Sequence, residues 1–338
     1  MFPFPRLKSV VERFSQKTIL VLGDLIADEY IYGKPARISR EAPVLILRYQ
    51  GREARVGGAA NACHNILALG ARVLPVGVLG ADEAGDEVLA SLRSLGIPTE
   101  AIVRTTRHST PVKTRIMAGS SESTRQQVVR LDREPQEPLD PNVEEELANQ
   151  LRAWGSRADA ILLSDYSYGT VTPGLVEVAR ALANQHGTLV SIDSRYDLLR
   201  YTGLTAATPN EPEVEHLTGL LLDGEPTVEK AGRQLLEHLG CRYLLITRGS
   251  RGMALCEREG PVTFLPIHGS DQIADVTGAG DTVISTFTVA LASGGLPAEA
   301  AWLANVAGGA VVMKRGTAAV SQAELLRALA QDGGHREP

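Results

Sequence analysis

Two glycines and a carboxylate, closely spaced, are the first chemical signal in this chain. In Asp275-Val-Thr-Gly-Ala-Gly-Asp281-Thr282, Gly278 and Gly280 flank Ala279 just ahead of an apolar stretch, residues 283–292, that reads as a helix. Such a start leaves backbone N–H groups unpaired at the positive end of the helix dipole, where a phosphate-like anion is held readily. Asp281 falls in the first helical turn, beside the place where that anion would lie. There it either caps the helix or takes a proton from an attacking hydroxyl while the N–H groups stabilise a transferring phosphoryl group. A second glycine pair, Gly57-Gly58-Ala59-Ala60-Asn61, leads into a helical stretch that ends near Gly70.

Short buried strands must position these residues. Runs at 18–22, 73–78, 160–163, 189–192 and 243–247 are rich in branched aliphatics and closed by Gly, Asp or Ser. Between them lie amphipathic helices. Val143, Leu147, Leu151 and Trp154 share one helical face. This alternation predicts a mostly parallel sheet with helices on both faces. Two stretches, about 30–55 and 109–131, instead alternate apolar with Arg and polar residues. They are read as antiparallel strands of a small sheet inserted into the α/β core, a lid. Residues 133–141, with three prolines, form a connector, and 332–338 a flexible tail.

Composition excludes several classes. The 338 residues carry a net charge of −6, so no global field draws in nucleic acid or anionic lipid. The three cysteines, Cys63, Cys241 and Cys256, are far apart and form no C-x-x-C, which fits a reducing cytosol. No apolar run approaches the ~20 residues of a membrane helix. The expectation is a cytoplasmic protein with no nucleic-acid or membrane partner.

The segment 275–282 resembles the C-terminal signature of the ribokinase-like (PfkB) carbohydrate kinases, and Gly57–Asn61 their N-terminal one. Thr208-Pro-Asn-Glu-Pro-Glu213 is similar to that family's T-P-N-x-x-E, and Thr247-Arg-Gly-Ser-Arg-Gly252 to its T-x-G-x-x-G. All four stand in family order. The resemblance implies a three-layer α/β/α kinase domain over 16–331, behind an N-terminal extension at 1–15, with a small β-sheet lid. It implies Asp281 as general base and the backbone of Thr277, Gly278, Ala279 and Gly280 as an anion hole. Asp28, Gly57, Gly58 and Asn61 would bind the sugar. Asn210 and Glu213 would serve ATP and, through water, Mg²⁺; Asn210 after Pro209 also reads as a helix cap. Thr247, Gly249 and Asn305 would line the nucleotide site. Asp275 and Thr277, with carbonyls near Gly316, would hold a monovalent cation such as K⁺. A homodimer through the lid is also implied.

Further segments resemble one branch of that family, the heptose 7-phosphate kinases of ADP-heptose synthesis. They are Gly23 to Asp28, Arg37 to Val44, Gln126 to Glu134 and Ser164-Asp165-Tyr166. A doubly charged acceptor needs cations, and the inserted strands carry Arg37, Arg40, Arg48, Lys113, Arg115 and Arg130. Of these, Arg37, Lys113, Arg115 and Arg130 are taken as substrate-binding. Arg40, Tyr168 and Ser194-Arg195 depart from the branch, as do a few extra residues at 119–124. The acceptor therefore stands open to another sugar, a nucleoside or a different sugar phosphate, and a sugar-binding protein without catalysis is the remote alternative. No nucleotidyl-transferase module of the kind found in bifunctional relatives is expected.

Overall fold

The computed structural model describes residues 2–119, 125–269, 275–314 and 316–334, with only the backbone for 332–334. Most of the 119–124 insertion and the end of the tail fall outside the described residues. In chain order the strands are β1 (Thr18–Gly23), β2 (Leu25–Ile38), β3 (Leu45–Gly58), β4 (Arg72–Gly80), β5 (Ile102–Thr105), β6 (Val112–Ala118) and β7 (Gln126–Arg133). They continue as β8 (Ala160–Asp165), β9 (Leu189–Ser194), β10 (Ala206–Ala207), β11 (Tyr243–Thr247), β12 (Met253–Glu257) and β13 (Val262–Leu265). The α-helices are α1 (Phe4–Glu12), α2 (Ala59–Ala68), α3 (Glu83–Ser94), α4 (Pro141–Gly155), α5 (Pro173–His186), α6 (Glu211–Thr218), α7 (Glu225–Leu239), α8 (Ala279–Ala292), α9 (Pro297–Val311) and α10 (Gln322–Gly334).

The larger sheet runs β13-β12-β11-β10-β9-β8-β1-β4-β5, parallel from β5 to β11 and antiparallel at β12 and β13. Its middle strand shows why the apolar runs are continuous. In β1, Ile19 and Val21 belong to a core shared with α1, α2, α8, α9 and α10, whereas Leu20 and Leu22 belong to one shared with α4, α5 and α7. Successive side chains point to opposite faces, and both faces are covered, so every position must be apolar. Residues 4–12, read as an extension, form α1, whose Leu7, Val10 and Val11 are buried in the first of these cores.

The small sheet runs β3-β2-β6-β7. The antiparallel pairing expected of these strands holds for β2 with β3 and β6 with β7, whereas β2 and β6 pair in parallel. Between them the chain passes through β3, α2, β4, α3 and β5, the long crossover that parallel pairing requires. Register shifts at Tyr32/Gly33 and Pro35/Arg37 interrupt the outer half of the β2–β3 ladder. Among the described residues, no helix is long and apolar enough to cross a membrane.

Candidate active site

A cleft of about 830 Å³ lies between the small sheet and the C-terminal ends of the parallel strands. The N-terminus of α8 opens into it. Gly278 is the N-cap, with left-handed backbone at φ 78°, which an L side chain rarely adopts. Asp281 lies in the first turn, yet among the described residues its carboxylate accepts from no backbone N–H of the helix. It accepts instead from Asn61 Nδ2 at 2.6 Å and from the Tyr166 hydroxyl at 2.8 Å. Burial pushes this carboxyl up, while the two hydrogen bonds work the other way, and the group settles at about 6. At neutral pH it is an anion with a proton affinity suited to a general base. The amides read as an anion hole are fewer than four. Thr277 N–H is taken by Asp275 Oδ1 and Ala279 N–H by the Val276 carbonyl.

Helix α2 supports this arrangement from below. Asn65 donates to the Asn61 carbonyl, and Thr282 donates to Asn65 Oδ1, so the two helix starts are stitched together beneath Asp281. The glycine pair has a steric reason. A Cβ at Gly57 would lie 2.7 Å from Asp28 Oδ2, and one at Gly58, where φ is 56°, 2.5 Å from the Asp24 carbonyl oxygen. Asp28 is buried in the cleft wall and ion-paired with Arg115 Nη1 across the parallel β2–β6 pairing. Asp24 caps the turn after β8, accepting from the N–H groups of Tyr166, Tyr168 and Thr170.

The lid cations divide into groups. Lys113, Arg115 and Arg130 line the cleft. Arg115 is committed to Asp28, and Arg130 to Asp132 at 2.7 Å. Lys113 has no carboxylate partner among the described residues. Its Nζ lies 4.5 Å from the centre of the Tyr166 ring and 5.4 Å from that of Tyr168. Burial, with Arg195 nearby, lowers the Lys113 ammonium to about 8. Arg37 is exposed near the far end of β2 and is not part of the cleft lining.

The other half of the cleft gathers Asn210, Glu213, Thr247, Gly249 and Asn305. Asn210 is the N-cap of α6, accepting from Glu213 N–H at 2.9 Å, while Glu213 Oε2 accepts from Asn210 N–H at 2.8 Å. This capping box holds both side chains at the rim. Burial raises Glu213 as well. Asn305 donates to the Pro266 carbonyl at 2.7 Å. Asp275 lies just outside the lining, where its two oxygens accept from Thr277 and Gly316 N–H. Partial burial pushes its carboxyl up, but those bonds hold it below the ordinary range.

Sequence reasoning assigned no role to three cleft residues. Asp193, at the end of β9, is raised to about 8 by burial, with Glu213 and Asp281 adding repulsion. Arg195 follows it, its guanidinium 5.3 Å from the centre of the Tyr166 ring. Tyr166 reaches Asp281 itself. Tyr166 and Arg195 stood out in sequence only in the comparison with the heptose kinase branch; the signal shared by all three was a position at the ends of buried strands, the edge where open α/β sheets bind ligands.

Comparison with known proteins follows the same lines. A profile of the pfkB family carbohydrate kinases matches residues 16–324. The chain belongs to this family. It is accordingly an ATP-dependent sugar kinase, with the ribokinase-like fold. Among its relatives, the bifunctional protein HldE of Geobacter metallireducens is 41% identical over 308 residues, 91% of this chain and 62% of that protein. HldE of Pelobacter propionicus is 37% identical over 96% of this chain and 65% of its own length. This kinase thus spans a little under two thirds of the curated relatives it matches. Its fold is shared with Escherichia coli phosphofructokinase-2 in complex with potassium (TM-score 0.77, 17% identity, 93% of this chain and 98% of that one). Arabidopsis thaliana ribokinase with ribose and ATP is similar too (TM-score 0.71, 20% identity, 93% and 98%).

Proposed function

We propose that this kinase transfers the γ-phosphoryl group of ATP to the anomeric hydroxyl of D-glycero-D-manno-heptose 7-phosphate, giving the 1,7-bisphosphate. The observation that carries the reading is Asp281, a buried carboxylate held from two sides at a helix N-terminus, facing a lid that presents Lys113. Asp281 would take the hydroxyl proton as the oxygen attacks, and the free amides at the start of α8 would stabilise the charge on the phosphoryl oxygens. Asp28 would accept from sugar hydroxyls. Lys113, with Arg115 and Arg130 beside it, would face the phosphate the acceptor already carries. The HldE relatives and the segments shared with heptose kinases support that acceptor.

Mg²⁺, when bound, would neutralise charge on the ATP phosphates. Among the described residues no three acidic or thiol/imidazole groups lie close enough to hold an ion directly. Glu213 and Asp193 do line the cleft with their carboxyls raised, so an ion held through water and phosphate oxygens suits them. Asp275 stays anionic beside Thr277 and Gly316, which fits a monovalent cation such as K⁺ there.

ATP consumption should be measured with Mg²⁺ and K⁺ across phosphorylated and unphosphorylated hexoses and heptoses. Turnover confined to the heptose 7-phosphate is the expected result; faster turnover of another sugar would refute that acceptor while leaving the catalytic assignment intact.

The lid supports a homodimer. Ile38, Leu45, Tyr49, Val129 and Leu131 are exposed apolar residues on its strands, with Tyr49 70% exposed. The edge strands β3 and β7 leave unpaired backbone groups. A second copy of the chain would cover both. Sedimentation at micromolar concentration is expected to give a dimer that Leu131→Lys dissociates, and a monomeric native protein would exclude it.

A further inference from the structure

Resting on the reading of Asp281 as base, we infer that Tyr166 is a positioning residue that fixes the Asp281 carboxylate and ties it to the lid through Lys113. Three contacts converge on this one side chain. Its hydroxyl donates to Asp281 Oδ1 at 2.8 Å. Its ring centre lies 4.5 Å from Lys113 Nζ, on lid strand β6, and 5.3 Å from the Arg195 guanidinium beyond β9. Its backbone N–H is pinned by Asp24 Oδ2 at 2.8 Å. A carboxylate on a short side chain rotates freely unless both oxygens are held, and Asn61 holds only the other one. Cations stacked on a phenol ring draw electron density from it and strengthen its O–H as a donor. The lid therefore bears on the base through one ring, with no direct lid contact to Asp281 needed.

The charged and titratable groups facing Asp281 are Asp28 from β2, Cys63 from α2, Tyr166 beyond β8, and Asp193 and Arg195 at the end of β9. Of these, Tyr166 alone hydrogen-bonds to it, and that bond favours the charged carboxylate. Removing the hydroxyl should raise the carboxyl, so the deprotonated base persists over a narrower range at low pH.

The test compares Tyr166→Phe, Asp281→Asn and the double variant, with ATP, Mg²⁺ and the heptose 7-phosphate. Tyr166→Phe is expected to lower kcat about tenfold and to move the acid limb of kcat/KM upward by about one pH unit, with the KM for ATP unchanged within about twofold. In the Asp281→Asn background the same substitution should cost nothing further. An unmoved acid limb, or an equal loss in both backgrounds, would overturn the role of Tyr166. Near-normal turnover of Asp281→Asn would instead remove the base itself, so the two failures are distinct.

Discussion

Asp281→Asn is expected to lower kcat by about 10²–10⁴ while changing the KM for ATP and acceptor little, the range for loss of a general base. The asparagine keeps size and one acceptor oxygen, so Asn61 and Tyr166 still have a group to meet, and α8 keeps its start. What disappears is proton affinity. The native carboxyl lies at about 6, raised by burial and restrained by its two donors. The rate should therefore fall as pH drops through about 6, because the proton-bound carboxyl accepts nothing from the sugar hydroxyl. The variant should lose this dependence along with its rate. Steady-state kinetics from pH 5 to 8 would show both, and turnover within about threefold of the native protein would exclude Asp281 as base.

The parts of this site that are legible in sequence are local. The turn before α8, the glycine pair before α2 and the capping box at Asn210 each sit within six or seven consecutive residues, and local spacing dictates their geometry. The five buried strands were legible because burial on both faces demands unbroken apolar runs. The parallel β2–β6 pairing was not, since strand order is decided by where the long crossover returns. Arg115 read as a free cation because nothing along the chain places Asp28 against it; register across the sheet does, whereas the pairing of Arg130 with Asp132 is local, two residues apart on one face of β7. Arg37 was counted with them, yet two register shifts intervene between it and the cleft half of β2. Tyr166 and Asp193 come from strand ends far from residue 281, and only folding brings them together.

Lys113→Met is expected to raise the KM for a phosphorylated acceptor by about 10- to 100-fold, the loss of a hydrogen bond between charged groups, and to leave the KM for ATP nearly unchanged. The reason lies in how the lid's charges are committed. Arg115 is engaged with Asp28 and Arg130 with Asp132, so a phosphate would have to compete with a carboxylate for either. Lys113 stacks on Tyr166 and Tyr168, which offer no formal charge, and its ammonium can move to a phosphate without breaking an ion pair. Burial holds it at about 8, so above that pH the lysine sheds its proton and the acceptor KM should climb. Lys113→Arg should flatten that climb, since a guanidinium keeps its charge throughout this range. An unphosphorylated sugar should bind equally well to the native protein and Lys113→Met. If the acceptor KM is unchanged in Lys113→Met, or rises equally for both sugars, Lys113 does not contact the phosphate, and the ion-paired arginines must open to bind it.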